Sequence, residues 1–87
     1  MNTQERMQER LAALTPESLE IQDESAAHAG HAGAQGGGGH YWLMIVSSQF
    51  VGKLTVARHR MIYDALKDMM QTEIHALSIQ AYSPDEV

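Results

Sequence analysis

The sequence predicts an α+β domain: a three-stranded sheet covered by helices, in the order α-β-β-α-β. Three observations carry that expectation. Segments 18–23 and 74–82 alternate apolar and polar side chains with the period of a half-buried strand, and 40–46 is apolar on both parities, as in a strand that is central or covered at least in part on both faces. Segments 2–14 and 54–71 repeat apolar residues every three to four positions, the period of a helix lying on a core. With 87 residues the chain makes one domain, 1–87.

The first helix opens on a capping box. Asn2 caps it and Glu5 stands three positions later. Met7, Leu11 and Leu14 fall on one stripe, and Pro16 ends the helix by disfavouring helical geometry at Thr15. In the strand from Ser18 to Asp23, Leu19 and Ile21 point one way and Glu20 and Gln22 the other. Residues 24–39, rich in Gly and Ala, offer nothing to bury and read as a mobile Gly/His-rich loop. A hairpin needs only about two to five connecting residues, so a loop of this length is functional or tolerated slack. His40 to Val46 reads as the central strand, followed by a tight turn at Phe50, Val51 and Gly52.

The long helix is expected from Leu54 to about Gln71, with Ile62, Leu66, Met69 and Met70 inward. Arg58, Asp64, Lys67 and Asp68 are expected on the solvent side. In the third strand His75 shares parity with Leu77 and Ile79. Ser83, Pro84 and Glu86 then read as a helix start: a cap, a Pro at the first position and a Glu three on.

Composition excludes several functions. The net charge of −5 argues against strong nonspecific nucleic-acid binding, which depends on Lys and Arg neutralising phosphates. With no cysteine there is no disulfide, no thiolate nucleophile and no all-thiolate metal site. The polar N-terminus lacks the basic lead-in and apolar run of a secretory leader, and Tyr41–Val46 is too short to cross a bilayer. These features predict a cytoplasmic chain. No HExxH, P-loop or GxGxxG motif is present, and no nucleophile–base pair is recognisable, so an enzyme is the least favoured class.

The candidate ligands are histidines. His28 and His31 stand three apart in the loop, either as metal ligands or as two solvated side chains. His40 reads either as a ligand or as a strand-edge residue, the latter favoured, and His59 as a packing or capping residue of the helix. His75 is either a satisfied, half-buried histidine or a ligand on a rigid element, and periodicity does not choose between them. Lys53, Arg58 and Arg60 are candidates for phosphate or a partner's carboxylates, against a plain solvated face.

Several motifs at consistent spacing resemble the BolA family. They are Asp23-Glu24-Ser25, His28, His40 before an aromatic residue, Ile45-Val46-Ser47, Phe50 with Gly52, Arg58-His59-Arg60, Tyr63, and Ile74-His75-Ala76-Leu77. The resemblance implies a fold like a type II KH domain, though without the GxxG clamp. It implies a noncatalytic adaptor that pairs with a monothiol glutaredoxin, as a monomer alone and a heterodimer with its partner. The pair would share a [2Fe-2S] cluster, with sulfur from a glutaredoxin cysteine and glutathione. By position, the implied ligands here are His75 and His28, with His31 as a substitute. DNA binding is a second activity attributed to the family, and Lys53, Arg58 and Arg60 would carry it.

Overall fold

The structure, a computed structural model, describes residues 1–25 and 39–87. Its elements are α1 (Thr3–Leu11), β1 (Ser18–Asp23), β2 (Gly39–Val46), α2 (Thr55–Leu66) and β3 (Ile74–Tyr82). The Gly/His-rich loop expected at 24–39 lies outside the described residues, apart from Glu24, Ser25 and Gly39.

The capping box forms as the spacing requires: the Asn2 side chain accepts from the Glu5 amide at 2.9 Å, and Glu5 accepts from the Asn2 amide at 3.1 Å. Past Leu11 the helix tightens into a 3₁₀ turn over Ala12–Leu14 and stops at Thr15, which is left-handed with φ 44° and ψ 57°. Pro16 disfavours the right-handed helical region for its predecessor, so the chain leaves the helix there.

The sheet is mixed, in the order β1-β2-β3. β1 runs antiparallel to β2, with Ser18 opposite Val46 and Asp23 opposite Tyr41; β3 runs parallel to β2, with α2 in the crossover. Tyr41, Leu43 and Ile45 of β2 face the helices and are buried. They join Met7, Leu11, Leu14, Phe50, Ile62, Leu66, Met69 and Ile74 in one core. Each fully buried side chain of this kind contributes roughly 1.5–3 kcal/mol relative to exposure. The helices cover this face only. On the other, among the described residues, Glu20, Gln22, Ser78 and Gln80 are exposed around half-buried Trp42 and Met44. The doubly apolar pattern of 40–46 thus belongs to a central strand whose second face is half-buried among the described residues.

The turn after β2 is built on Val51 (φ −58°, ψ 129°) and Gly52 (φ 76°), a type II turn closed by the Lys53 amide donating to the Phe50 carbonyl at 3.1 Å. Only glycine takes that positive φ without strain.

Three expectations are corrected. The long helix ends at Leu66 rather than Gln71; Lys67 turns to φ 52° and a 3₁₀ segment covers Lys67–Gln71. The cause lies on α1. Arg10 donates to the Leu66 carbonyl at 2.8 Å and to the Asp68 carboxylate at 2.7 Å. A cation thus satisfies the helix C-terminus, and Asp68 escapes the like-charge i, i+4 relation to Asp64 that a continued helix would impose. Arg58, expected on the solvent side, is buried at 9% exposure. Third, the helix expected after Ser83 is a single 3₁₀ turn, Pro84–Glu86, though its capping box forms.

Candidate metal-ligand site

The site is built where β2 and β3 begin. In this parallel pair Gly39 aligns with Ile74 and His40 with Ala76, so one step on β2 spans two on β3. The extra residue is His75. This β-bulge reverses the strand's parity: Ile74 is 1% exposed, and Leu77 and Ile79 pack against the core three and five positions later. His75 shares sequence parity with the inward residues and is nonetheless exposed. A two-residue period cannot register that switch.

His40 lies beside it. The two imidazole centroids are 5.2 Å apart, with the ring planes inclined at 45°. His40 is half-buried and alternates with Tyr41 and Leu43, so it shares the helix-free face with Trp42 and Met44. Its backbone is fixed at both ends. The His40 amide donates to Ser25 Oγ at 3.0 Å, and its carbonyl accepts from the Glu24 amide at 2.7 Å. Ser25 in turn donates its amide to Asp23 Oδ1 at 2.9 Å. Hydrogen bonds from Ser25, the side chain first and the backbone second, hold the Asp23 carboxyl below its usual range. On the other side the Gly39 amide donates to the Glu73 carbonyl at 2.8 Å, and the Glu73 carboxylate is paired with Arg6 of α1.

Sequence reasoning placed His40 at a strand edge and missed this pairing. The signal was available in outline. Two strands joined through a helical crossover run parallel, which puts their first residues at one end of the sheet. His28 and His31 lie outside the described residues. Among the described residues no three His, Asp or Glu side chains converge as a metal site; the donor set there is the two imidazoles.

The basic segment divides. Arg58 Nε donates to the Lys53 carbonyl at 2.8 Å, and Nη1 donates to the Ala81 carbonyl at 3.1 Å. The guanidinium also grips Glu86 twice, at 2.5 and 3.2 Å, and its carbon sits 5.9 Å from the Phe50 ring centre. These contacts draw Arg58 into the interior, and it presents no free fork to a phosphate. Lys53 and Arg60 are exposed. His59 is half-buried on α2.

Comparison with known proteins gives a consistent picture. Residues 11–86 match the family model described as BolA-like protein. The chain is 48% identical to SufE-like protein 1, chloroplastic/mitochondrial, of Arabidopsis thaliana over 94% of its own length and 24% of that protein's. The structure of that protein's BolA domain superposes with a TM-score of 0.84 at 45% identity, over 100% of this chain and 99% of the other. Protein BOLA1, chloroplastic, of the same plant is 43% identical over 98% of this chain and 56% of that protein. The BolA1 structure from that plant gives a TM-score of 0.85 at 42% identity, covering 100% and 97% of the two chains. The DNA-binding transcriptional regulator BolA of Escherichia coli K12 is 39% identical over 99% of this chain and 80% of that protein. The chain therefore spans about a quarter and about half of the two plant proteins it matches.

The two plant names carry organellar locations, and they overturn the cytoplasmic expectation. That expectation rested on missing cysteines and on the lack of an apolar run, neither of which encodes an address. No helix of the described residues is long and apolar enough to cross a membrane. With its elements in the order of the matched folds and its length covered almost throughout, the chain belongs to the BolA-like family, whose proteins are adaptors and regulators rather than catalysts.

Proposed function

We propose that the chain is an adaptor that binds a monothiol glutaredoxin and completes a shared [2Fe-2S] cluster with imidazole nitrogen, in iron–sulfur cluster trafficking or iron and redox regulation. The observation that carries this reading is the bulge at His75, which turns a histidine on a rigid strand out to the open face of the sheet. The donor chemistry fits the chain's half of such a centre. Iron–sulfur clusters accept paired imidazoles in place of two thiolates, and a chain without cysteine can contribute only nitrogen. The sulfur ligands then come from a glutaredoxin cysteine and glutathione.

His75 is the fixed ligand of this proposal. His28 is the loop ligand, with His31 as its substitute. His28 follows Ser25, whose side chain accepts from the His40 amide, by three residues in the sequence. Co-expression with a monothiol glutaredoxin, then absorption and circular dichroism of the purified pair, tests the reading. His75→Ala weakens or alters the visible spectrum of the mixed complex, and His28→Ala changes it less. A spectrum untouched by His75→Ala refutes the assignment.

A second reading is DNA binding, favoured by the name of the E. coli relative. Lys53 and Arg60 would carry it, since the Arg58 guanidinium is committed to Glu86. The net charge of −5 weighs against it.

A further inference from the structure

We propose that His40 and His75 form a two-imidazole site belonging to this chain alone, which holds one borderline divalent transition-metal ion, such as Zn²⁺, in the absence of any partner. The inference stands on the geometry of the two rings and does not rest on the glutaredoxin reading.

The spacing carries the argument. With metal–nitrogen bonds of about 2.0–2.1 Å and an imidazole radius of roughly 1.1 Å, two imidazoles on one tetrahedral ion have ring centres about 5 Å apart. The centres of His40 and His75 stand 5.2 Å apart. The two strands thus already hold the ring centres at the separation that a shared ion would require.

The framework is stiff enough to hold that spacing. His40 is bonded through its amide to Ser25 and through its carbonyl to Glu24. His75 follows Ile74, a core residue with 1% exposure, and the Gly39–Glu73 bond ties the two strand starts together. Ligands fixed on strands lose little freedom when they bind. The chemistry selects the ion: neutral imidazoles suit zinc, copper and nickel, whereas magnesium and calcium demand oxygen. Among the described residues His40 is half-buried and His75 exposed, so within that set the two imidazoles are the protein's donors and water would complete the coordination.

The rings could instead be packed against each other as a purely structural contact, and the test separates the two. The chain carrying His28→Ala and His31→Ala, which removes the loop histidines, is titrated with Zn²⁺ by calorimetry at neutral pH, without glutaredoxin or glutathione. One ion binds per chain. Adding His40→Asn or His75→Asn lowers the affinity at least tenfold in each case. Cobalt(II) gives the visible bands of a tetrahedral ion, and these are lost in the same two variants. Amide spectra of the variants report that they remain folded. If a variant fails to fold, ring-nitrogen spectra of the chain with both His40 and His75 intact decide: Zn²⁺ moves the signals of both rings together. Binding that survives His40→Asn, binding that vanishes with the loop histidines alone, or a zinc-induced shift confined to His75 would each overturn the proposal. Because no partner is present, failure here leaves the cluster-sharing reading untouched, and failure of that reading leaves this one standing.

Discussion

Arg58 and Glu86 close the end of the chain onto α2: one guanidinium donates to both oxygens of one carboxylate, at 2.5 and 3.2 Å. The same Glu86 accepts from the Ser83 amide at 2.7 Å, completing the terminal capping box. Arg58 therefore couples the start of α2, through the Lys53 carbonyl, to the exit of β3, through the Ala81 carbonyl.

The first prediction follows from that coupling. Arg58→Met leaves the Lys53 and Ala81 carbonyls without their donor and destabilises the fold by about 2–4 kcal/mol, measured by chemical denaturation. Arg58→Lys rescues little of it, since an ammonium cannot reproduce the planar fork.

The pH dependence is set by the carboxylate. The Arg58 hydrogen bond, and then the Ser83 amide, lower the Glu86 carboxyl from its ordinary 4.5 to about 2. A carboxyl that is more acidic when folded stabilises the fold fully above its unfolded value. That contribution is lost as pH falls from about 4.5 through about 2. Asp68, held low by Arg10, and Asp23, held low by Ser25, act in the same direction. Thermal melts from pH 7 to pH 2 show Glu86→Gln less stable than the unsubstituted chain at neutral pH, with the two converging at the acid end. A constant gap across that range contradicts the assignment.

Gly39 admits no side chain. A Cβ there would stand 2.6 Å from the Tyr41 ring and 2.7 Å from Ser25 Oγ, the atom that receives the His40 amide. Tyr41 is 7% exposed and cannot swing away freely. Gly39→Ala costs roughly 1–3 kcal/mol and shifts the His40 amide resonance. A melting temperature and a His40 signal both unchanged would show that the crowding relaxes at no cost.

Ser47 is fully buried at the far end of β2, where its hydroxyl donates to the Leu14 carbonyl at 2.6 Å and accepts from the Gln49 amide at 3.1 Å. Ser47→Ala strands both groups and costs about 1–3 kcal/mol in denaturant unfolding. The loss appears first as faster amide exchange in the turn following Leu14.

The nucleic-acid reading gives the fifth prediction. If DNA is bound directly, Lys53→Ala and Arg60→Ala each weaken retardation in gel shifts and flatten its salt dependence, whereas Arg58→Lys acts only through stability. An absence of retardation near physiological salt for the unsubstituted chain removes DNA binding as a direct activity.

Much of the scaffold was legible before any coordinates. The strands at 18–23 and 74–82 take the bounds that alternation assigns, because a half-buried strand writes its period into its composition. The Asn2–Glu5 cap is equally local. What escaped was set by distant partners. The end of α2 depends on Arg10, 56 residues from the carbonyl it satisfies. Arg58 reads as a surface cation until Glu86, 28 residues later, comes to meet it. At the site, one additional residue in β3 reversed the parity on which the half-buried reading of His75 was based. It also set His75 against His40, a pairing that no local pattern announces.

The fastening of Glu24 and Ser25 to His40, one step past the Asp23–Tyr41 pair that ends the β1–β2 ladder, has a mechanical consequence. The two strands are tied beyond their last paired rung, so a one-residue slip of β1 against β2 would break both bonds and turn Leu19 and Ile21 away from the core they pack against. The register that carries the His40 imidazole to this end of the sheet is therefore held by bonds among the described residues.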